Sequence, residues 1–349
     1  MQDYLTSLAD RLATQHRLQL DEYRELIDGR NEALAKKLAE YAVIERKKHY
    51  GNHIYVRGLI EISNVCKNDC LYCGIRCSNT NCSRYRLSPD EILECCHEGY
   101  KLGFRTFVLQ GGEDPFFSDD LLCCILEEIK GLYPDCAVTL SLGERSRESY
   151  ARLKAAGADR YLLRHETATA AHYGQLHPGE MSFENRIRCL NDLKELGFQT
   201  GCGFMVGSPF QTTMHLARDL QFVEEFQPQM CGIGPFIPHC DTPFGNEVAG
   251  TAELTCYLLS ILRLIQPKLL LPATTALDSV SPQGRTMGIL AGANVIMPNL
   301  SPQSVRKKYM LYNNKATDGL EGAEYKKELD ASMASIGYEI VTHRGDAKQ

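Results

Sequence analysis

Apolar positions in the first 50 residues follow a helical repeat. Leu5, Leu8, Ala9, Leu12 and Ala13 have the i, i+3, i+4, i+7, i+8 spacing of one helix face. Further helical patterns cover about 21–31 and 32–50. The charged run 45–48 falls at the end of the third pattern, where cations interact favourably with the helix dipole. We therefore predict an N-terminal helical segment over residues 1–50, with no catalytic residue in it.

From residue 54 onward, short apolar runs alternate with helical stretches. The eight predicted strands are 54–64, 106–111, 137–142, 160–166, 199–206, 230–237, 268–274 and 294–298. The helical stretches lie near 88–102, 118–132, 146–156, 182–196, 213–226, 253–265, 282–291 and 302–312. This alternation predicts the α/β class, as a parallel (β/α)8 TIM-type barrel over 51–312. The polar remainder, 313–349, is predicted to be a short C-terminal tail with a helix and a strand-like segment, packed outside the barrel.

Polar, Gly and Pro residues follow several of the predicted strands. The segments are EISNVCKNDCLYCG, LQGGEDP, RHET, GPFIPH, PATT and MPN. In a (β/α)8 barrel the loops at the carboxyl ends of the strands carry the chemistry. The convergence of these segments at one end predicts an active site there.

The composition is that of a globular chain and excludes some functions. Of the 349 residues 44% are hydrophobic, and 38 Lys and Arg against 44 Asp and Glu give a net charge of −6. This balance argues against a general nucleic-acid or anionic-membrane binder, which needs clustered positive charge. The first residues contain no apolar run long enough for a signal peptide and no later run reaches about 18 apolar residues, so we expect neither a signal peptide nor a transmembrane helix. We expect a cytoplasmic protein that does not enter a membrane.

The chain contains 15 cysteines. An odd count without a secretion signal argues against a disulfide scaffold. Ten of them are predicted to be small buried packing residues: Cys95, Cys96, Cys123, Cys124, Cys136, Cys189, Cys202, Cys231, Cys240 and Cys256. The other five are concentrated between positions 66 and 82, and they require a separate explanation.

Cys66, Cys70 and Cys73 have the spacing C-x3-C-x2-C. Three thiolates can ligate three irons of a 4Fe–4S cluster and leave the fourth iron open to a substrate or cofactor. A structural zinc site needs four ligands, and Cys77 or Cys82 could supply the fourth thiolate. Two alternatives therefore stay open: a catalytic cluster, or a metal-binding structural or interaction module.

Arg164 and Glu166 have the same parity on the predicted strand 160–166, so both can point into the barrel. There they could bind a carboxylate and an ammonium or ribose, or they could pair with each other. His165 has the opposite parity and is predicted to pack outward. Arg186, at the start of the next helix, is a second candidate for binding a carboxylate.

With Tyr72 just before its last cysteine, the cysteine motif resembles the signature of the radical S-adenosylmethionine (SAM) superfamily. Gly111-Gly112-Glu113 looks like the GGE motif of that superfamily. The segments GLIEISNVCKNDCLYCGIR, LQGGEDP, TLSLGE, ADRYLLRHETA, SFENR, GFMVGSP, CGIGPFIPHCDTP, PATTA and GANVIMPN together resemble the HydE family of FeFe-hydrogenase maturases, within the biotin synthase-like group. They span about residues 57–312.

This resemblance implies one 4Fe–4S cluster on Cys66, Cys70 and Cys73, and SAM as the second cofactor. The SAM-binding residues it implies are Tyr72, Gly111, Gly112, Glu113, Arg164, Glu166, Arg186 and Tyr309. For the substrate cavity we select residues with hydroxyl, amide or thioether groups near the strand ends: Gln110, Thr139, Ser141, Thr274, Thr275 and Met297. Some family members hold a second cluster on C-terminal cysteines. Because Cys256 is the last cysteine here, a single cluster is expected.

The implied reaction is reductive cleavage of SAM to a 5′-deoxyadenosyl radical. The radical would attack the sulfur ligand of a cysteine-bound iron carbonyl–cyanide unit, a small organometallic substrate made by the maturase HydG. The product would pass towards the scaffold HydF, through transient contacts with a monomeric enzyme. The alternative is a radical SAM enzyme of the biotin synthase or methylornithine synthase type, acting on a small organic substrate.

Overall fold

The computed structural model describes residues 2–315 and 322–348. The helices are α1 Gln2–Gln15, α2 Leu20–Asp28, α3 Glu32–Tyr50, α4 Pro89–Lys101, α5 Asp119–Leu132, α6 Arg147–Ala155, α7 Ala170–Leu176, α8 Phe183–Glu195, α9 Thr213–Phe226, α10 Ala252–Ile265, α11 Thr275–Val280, α12 Gly284–Leu290, α13 Gln303–Arg306 and α14 Gly322–Ser335. The strands are β1 His53–Val56, β2 Gly58–Ser63, β3 Thr106–Gly111, β4 Ala137–Ser141, β5 Arg160–Leu162, β6 Gln199–Cys202, β7 Met205–Val206, β8 Met230–Cys231, β9 Gly234–Pro235, β10 Val295–Ile296 and β11 Glu339–Val341.

Helices α1 to α3 occupy the N-terminal region, where the apolar repeat predicts them. The Asn31 side chain accepts a hydrogen bond from Leu34 N and caps α3, which ends at Gly51 with a positive φ of 60°. Helix α3 packs against α10, and α2 packs against α9. The hydroxyl of Tyr257 on α10 donates to Leu26 O at 2.6 Å. The N-terminal helices therefore add to the outer helical layer of the sheet.

The central sheet is parallel and has the order β2-β3-β4-β5-β6-β8. Two smaller sheets have the orders β10-β1-β11 and β7-β9. Single parallel bridges, Met230–Leu270, Pro272–Val295 and Leu59–Asn299, connect the edges of the central sheet through the remaining segments. This is the predicted α/β class, with a barrel-like parallel arrangement, but regular ladders do not run through all eight segments.

Several predicted strands differ from the observed ones. The predicted strand 54–64 is divided at Arg57, because β1 pairs with β10 and β11 while β2 pairs with β3. The predicted strands 199–206 and 230–237 are each divided into two. At this division a Cβ on Gly203 would lie 2.0 Å from Gly232 O, so the two backbones approach too closely for regular pairing. The segment 268–274 forms only bridges, because Pro272 has no N–H to donate.

Three helical assignments also need correction. The predicted helix 302–312 is reduced to the four residues of α13, and the short helices α7 and α11 were not predicted. Pro302 precedes α13, and the chain beyond Arg306 turns towards the site instead of continuing helically. Helices of six or seven residues lack the long apolar repeat on which the sequence prediction depends.

The C-terminal tail does more than pack outside the barrel. Strand β11 joins β1, and the chain then covers the amino-terminal ends of the central strands. Arg160 Nη2 donates to Asp346 Oδ1 at 2.6 Å, and Thr106 Oγ1 donates to Arg344 O at 2.8 Å. Arg344 Nη2 lies 2.8 Å from Asp159 Oδ1. The tail therefore neutralises the buried Arg160 at the end of the barrel opposite the predicted active site.

We expect Asp346→Asn to remove an acid-dependent contribution to stability. Burial alone would raise the pKa of Asp346, but the charge of Arg160 and hydrogen bonds from Gln199 and Arg160 outweigh it and lower the pKa from 3.8 to about 2. This stabilisation is present above pH 3.8 and is lost as the pH falls through about 2. The Asp346 side chain is 36% exposed, so solvent screening reduces the expected loss to about 1 kcal/mol at pH 7.

Urea unfolding at pH 7 and pH 3 measures this effect. The variant should have a lower free energy of unfolding than the wild type at pH 7. Its free energy of unfolding should also fall less than that of the wild type between pH 7 and pH 3. Asp330→Asn is the matched control, because Asp330 pairs with Lys326 on a partly exposed face of α14. Equal acid sensitivity of Asp346→Asn and wild type would contradict the assignment.

Candidate active site at the carboxyl end of the strands

Cys66, Cys70 and Cys73 lie in the loop that follows β2. Each is a half-buried free thiol in the described part of the chain. The loop is held from two sides, since Leu71 N donates to Leu176 O at 3.0 Å and Gly74 N donates to Leu311 O at 2.8 Å. The three sulfur atoms therefore sit on backbone that other elements fix in place.

Burial raises the pKa of all three thiols, that of Cys73 to about 12. Without a bound cation they are therefore neutral near pH 7. Three thiols from one short loop are a donor set that can ligate three irons of a 4Fe–4S cluster.

The other two cysteines of this region do not join the three thiols. Cys77 is exposed. Cys82 is half-buried, and its sulfur lies 3.5 Å from Asn64 Nδ2. Two of the ten cysteines predicted to be packing residues are in fact exposed: Cys124, on α5, and Cys240, in the loop after β9.

The loop after β3 contacts the cysteine loop directly. Glu113 N lies 3.4 Å from Cys66 Sγ, and Lys67 N donates to Glu113 O at 3.0 Å. A Cβ on Gly112 would lie 2.3 Å from Val65 O and 2.6 Å from Cys66 Cβ. Gly112 follows Gly111, the last residue of β3. Glycine at 112 is therefore required by the close approach of two loops.

The Glu113 carboxylate bridges two elements at the rim of the site. Its Oε1 accepts from Glu144 N at 2.8 Å, and its Oε2 lies 3.2 Å from Lys67 Nζ. Glu113 packs against Gly143, because a Cβ on Gly143 would lie only 2.1 Å from Glu113 Cγ. The acid is thus held beside the three thiols.

Tyr72 lies on an apolar base beside the thiols. With Leu71 it packs against Leu176, Met205, Phe236 and Phe244, and its hydroxyl lies 3.2 Å from His177 Nε2. Met181, which follows α7, places its Sδ 3.7 Å from Cys70 Sγ. His177 and Met181 were not selected from the sequence, because they belong to the segment around the unpredicted helix α7.

Arg164 and Glu166 follow β5 and pair with each other, with Nη2 3.2 Å from Oε2. Glu166 has a φ of 65°, a left-handed conformation that is unusual for this residue type. Backbone bonds hold it there, since Glu166 N donates to Gly203 O at 3.0 Å and Met205 N donates to Glu166 O at 3.3 Å. His165 is fully buried on the opposite side, 3.3 Å from Asp219 on α9.

Arg186 is buried at the start of α8 and already has partners. Its Nε donates to Glu144 Oε1 at 2.5 Å, and its Nη1 donates to Arg164 O at 2.5 Å. Asn185 Nδ2 donates to the other oxygen of Glu144 at 2.6 Å. In this arrangement Arg186 orients the Arg164 segment, and it carries a positive charge towards Cys70, whose pKa it lowers in part.

The residues selected for a substrate cavity occupy more than one place. Gln110 on β3 and Ser141 on β4 are register partners, and Gln110 Nε2 lies 3.4 Å from the Tyr309 hydroxyl. Thr139 Oγ1 is buried with no hydrogen-bond partner among residues 2–315 and 322–348.

The remaining three lie outside β3 and β4. Thr274 Oγ1 donates to Ile233 O at 3.4 Å, and Thr275 is the first residue of α11. Met297 packs against the cluster of Tyr50, Tyr55, Met230, Leu270 and Val295, so it lies with the residues of β1, β8 and β10.

A buried ion pair beside Tyr309 was missed by sequence analysis. Lys315 Nζ donates to Glu61 Oε1 and, at 3.0 Å, to Tyr309 O. Asn299 Nδ2 donates to the second oxygen of Glu61 at 2.9 Å. Glu61 is a charged residue within the fully buried strand β2, and a charge in an apolar strand was an available signal. Nothing in the polar sequence around Lys315 indicated its partner.

The comparisons with known proteins agree with this geometry. The Radical SAM superfamily model matches residues 60–223, which include the three thiols, the GGE segment and the Arg164–Glu166 pair. The fold and site define a radical SAM enzyme. The chain is 49% identical over 287 residues to the [FeFe] hydrogenase maturase subunit HydE of Thermotoga maritima, covering 82% of this chain and 80% of that protein. It belongs to the HydE family of [FeFe]-hydrogenase maturases.

Other relatives share the fold at lower identity. The 3-methylornithine synthase of Methanosarcina barkeri is 28% identical, with 86% of this chain and 85% of that protein covered. The crystal structure of methylornithine synthase (PylB) superposes with a TM-score of 0.84 at 24% identity, covering 96% of this chain and 97% of that one. That of HydG, a maturase of the [FeFe]-hydrogenase, gives 0.80 at 19%, covering 98% and 77%.

Within the described residues, no helix is long and apolar enough to cross a membrane.

Proposed function

We propose that Cys66, Cys70 and Cys73 hold one 4Fe–4S cluster and that SAM binds beside it. The observation that carries this proposal is the loop of three free thiols, which lies against the GGE segment. When bound, such a cluster supplies one electron to the sulfonium of SAM, which yields methionine and a 5′-deoxyadenosyl radical.

The surrounding side chains provide complementary charges for SAM. Arg164 Nη2 and Glu166 Oε2 form an ion pair at 3.2 Å, but within the described ranges neither atom has a hydrogen bond, and Arg164 Nε is also buried without one. Buried charges are costly unless they are paired and hydrogen-bonded. A carboxylate for Arg164 and a hydroxyl or ammonium for Glu166 would meet that need, with Arg186 supporting the Arg164 segment. Glu113 and the Gly111–Gly112 backbone would hold the amino group, and Tyr72 and Tyr309 would enclose the nucleoside.

We further propose an anionic substrate deep in the barrel. Arg57 is buried with its Nη1 2.9 Å from Met230 Sδ, and its Nε and Nη2 have no hydrogen-bond partner among the residues described. The unpartnered Thr139 hydroxyl and the Gln110 amide are further donors on neighbouring strands. A positive, donor-rich interior suits an anionic substrate such as a cysteine-bound iron carbonyl–cyanide unit supplied by HydG. The radical would attack the sulfur ligand of this unit. The product would then be transferred towards HydF.

Anaerobically reconstituted protein tests the first proposal. It should be brown and contain about four iron and four sulfide per chain, and dithionite with SAM should release 5′-deoxyadenosine. About eight iron per chain would contradict the single cluster. A colourless zinc protein that leaves SAM intact would overturn the enzyme assignment and favour a structural module.

The substrate is tested separately by adding the HydG product and following intermediates by spectroscopy. We expect faster SAM cleavage and new iron-centred signals with that product. Turnover with a biotin-type or amino-acid substrate instead would favour the biotin synthase or methylornithine synthase type of reaction, while leaving the SAM assignment intact.

A further inference from the structure

A second group of metal-ligating side chains lies outside the thiol loop. His239, Cys240 and Asp241 follow β9, and their ligand atoms all lie within 4.8 Å of one another. His239 is buried and Cys240 is exposed. His239 Nδ1 and Asp241 Oδ2 face each other at 4.0 Å. These three side chains have no part in the binding of SAM proposed above.

Hydrogen bonds from neighbouring segments hold this loop in shape. Asn81 Nδ2 donates to Asp241 Oδ1 at 2.9 Å, which leaves Oδ2 towards the imidazole. Cys240 N donates to Asn313 Oδ1 at 3.2 Å. Such outer contacts orient the ligands of protein metal sites. The loop is thus preorganised by residues that are distant from it in sequence.

The distances require only a small contraction around an ion. Tetrahedral Zn²⁺, with bonds of about 2.0–2.3 Å, holds its ligands roughly 3.3–3.8 Å apart. Cys240 is exposed, so its sulfur can move by rotation of the side chain. Asp241 N donates to His239 Nδ1 at 3.2 Å, and the ion would take the place of this long hydrogen bond.

The site lies against the thiol loop but is separate from it. A Cβ on Gly74, the residue after Cys73, would lie 2.3 Å from His239 Cδ2. An ion bound by His239 would therefore stiffen the segment on which Gly74 and Cys73 rest. Cys82 is next to Asn81 in the sequence, but its side chain points to Asn64 and does not join this group of ligands.

We propose that His239, Cys240 and Asp241 bind one divalent transition-metal ion of the Zn²⁺ type, with the fourth position open to water. The ligand set is one imidazole, one thiolate and one carboxylate, all of which zinc accepts. The Cys240 thiol releases its proton to solvent when the ion binds. No electron is transferred, because Zn²⁺ has no redox chemistry.

The experiment uses cluster-loaded protein dialysed anaerobically against ZnCl2 and desalted. Elemental analysis should find one zinc per chain in addition to the iron. Zinc-edge X-ray absorption should show one sulfur neighbour at about 2.3 Å, and nitrogen or oxygen neighbours at about 2.0–2.1 Å. Cys240→Ser should lower the zinc content at least tenfold without changing the iron content.

Cys82→Ser and Cys124→Ser are matched controls, since one removes a neighbouring thiol and the other an exposed thiol on α5. Both should retain zinc. Absence of zinc from the wild type, full zinc in Cys240→Ser, or loss of zinc in Cys82→Ser would overturn the proposal. Three or more sulfur neighbours would also overturn it, because the ion would then lie on Cys66, Cys70 and Cys73.

Discussion

Cys66→Ser should reduce the iron and sulfide of reconstituted protein from about four each to below one per chain and abolish formation of 5′-deoxyadenosine. Serine is a poor ligand for iron where thiolate is preferred. The substitution also removes the sulfur that lies 3.4 Å from Glu113 N. Iron and sulfide assays, with product analysis after addition of dithionite and SAM, measure the effect.

The control for this loss is Cys82→Ser, which alters a thiol 16 positions further along the chain that faces Asn64. It should keep the cluster and SAM cleavage. Circular dichroism should show both variants folded, because Cys66 is only half-buried. A full complement of iron in Cys66→Ser, or its loss in Cys82→Ser, would show that the cluster ligands are assigned incorrectly.

Gly112→Ala should lower the rate of SAM cleavage on the order of 100-fold, because a displacement of about 1 Å in a catalytic group is enough for such a loss. The added Cβ would meet Val65 O at 2.3 Å and Cys66 Cβ at 2.6 Å. Val65 O is a backbone atom and Cys66 Cβ is attached directly to the backbone, so the loop must shift. Overpacking of this kind also costs about 1–3 kcal/mol of stability.

Gly131→Ala is the matched control. Gly131 lies on α5, and a Cβ there meets no heavy atom within 4 Å. This substitution should leave SAM cleavage unchanged and raise stability by about 0.5–1 kcal/mol, since alanine favours a helix over glycine. Rates of 5′-deoxyadenosine release and urea unfolding distinguish the two variants. Wild-type rates in Gly112→Ala would show that contact between the two loops does not position the cluster.

The structure corrects the sequence analysis where partners come from distant elements. The alternation of side chains along a strand predicts that Arg164 and Glu166 lie on the same face. It does not distinguish a role in ligand binding from the mutual contact at 3.2 Å that the structure contains. The sequence predicts Arg186 as a candidate for binding a carboxylate, and in the structure the carboxylate it contacts is that of Glu144. These two residues are 42 positions apart, and no local pattern connects them.

The tail that covers the amino-terminal ends of the central strands also makes contacts that local sequence patterns do not predict. The sequence predicts a helix and a strand-like segment in a tail over 313–349 from local composition, and the structure contains α14 and β11 there. Arg344 and Asp346 pair with Asp159 and Arg160, more than 180 positions away in the chain. These contacts depend on the direction that the chain takes after β11. A buried arginine must find an anion, but the sequence does not say which one.

Local sequence patterns are sufficient to predict the class of fold and to single out the thiol loop. Strand–helix alternation is a local property, and three cysteines within eight residues are near one another in almost any loop conformation. The pairing of charges, the exposure of individual cysteines and the lack of partners for some polar groups inside the barrel become visible in the folded chain alone. These outcomes depend on packing between segments that are far apart in the chain, where burial sets the cost of an unpaired charge.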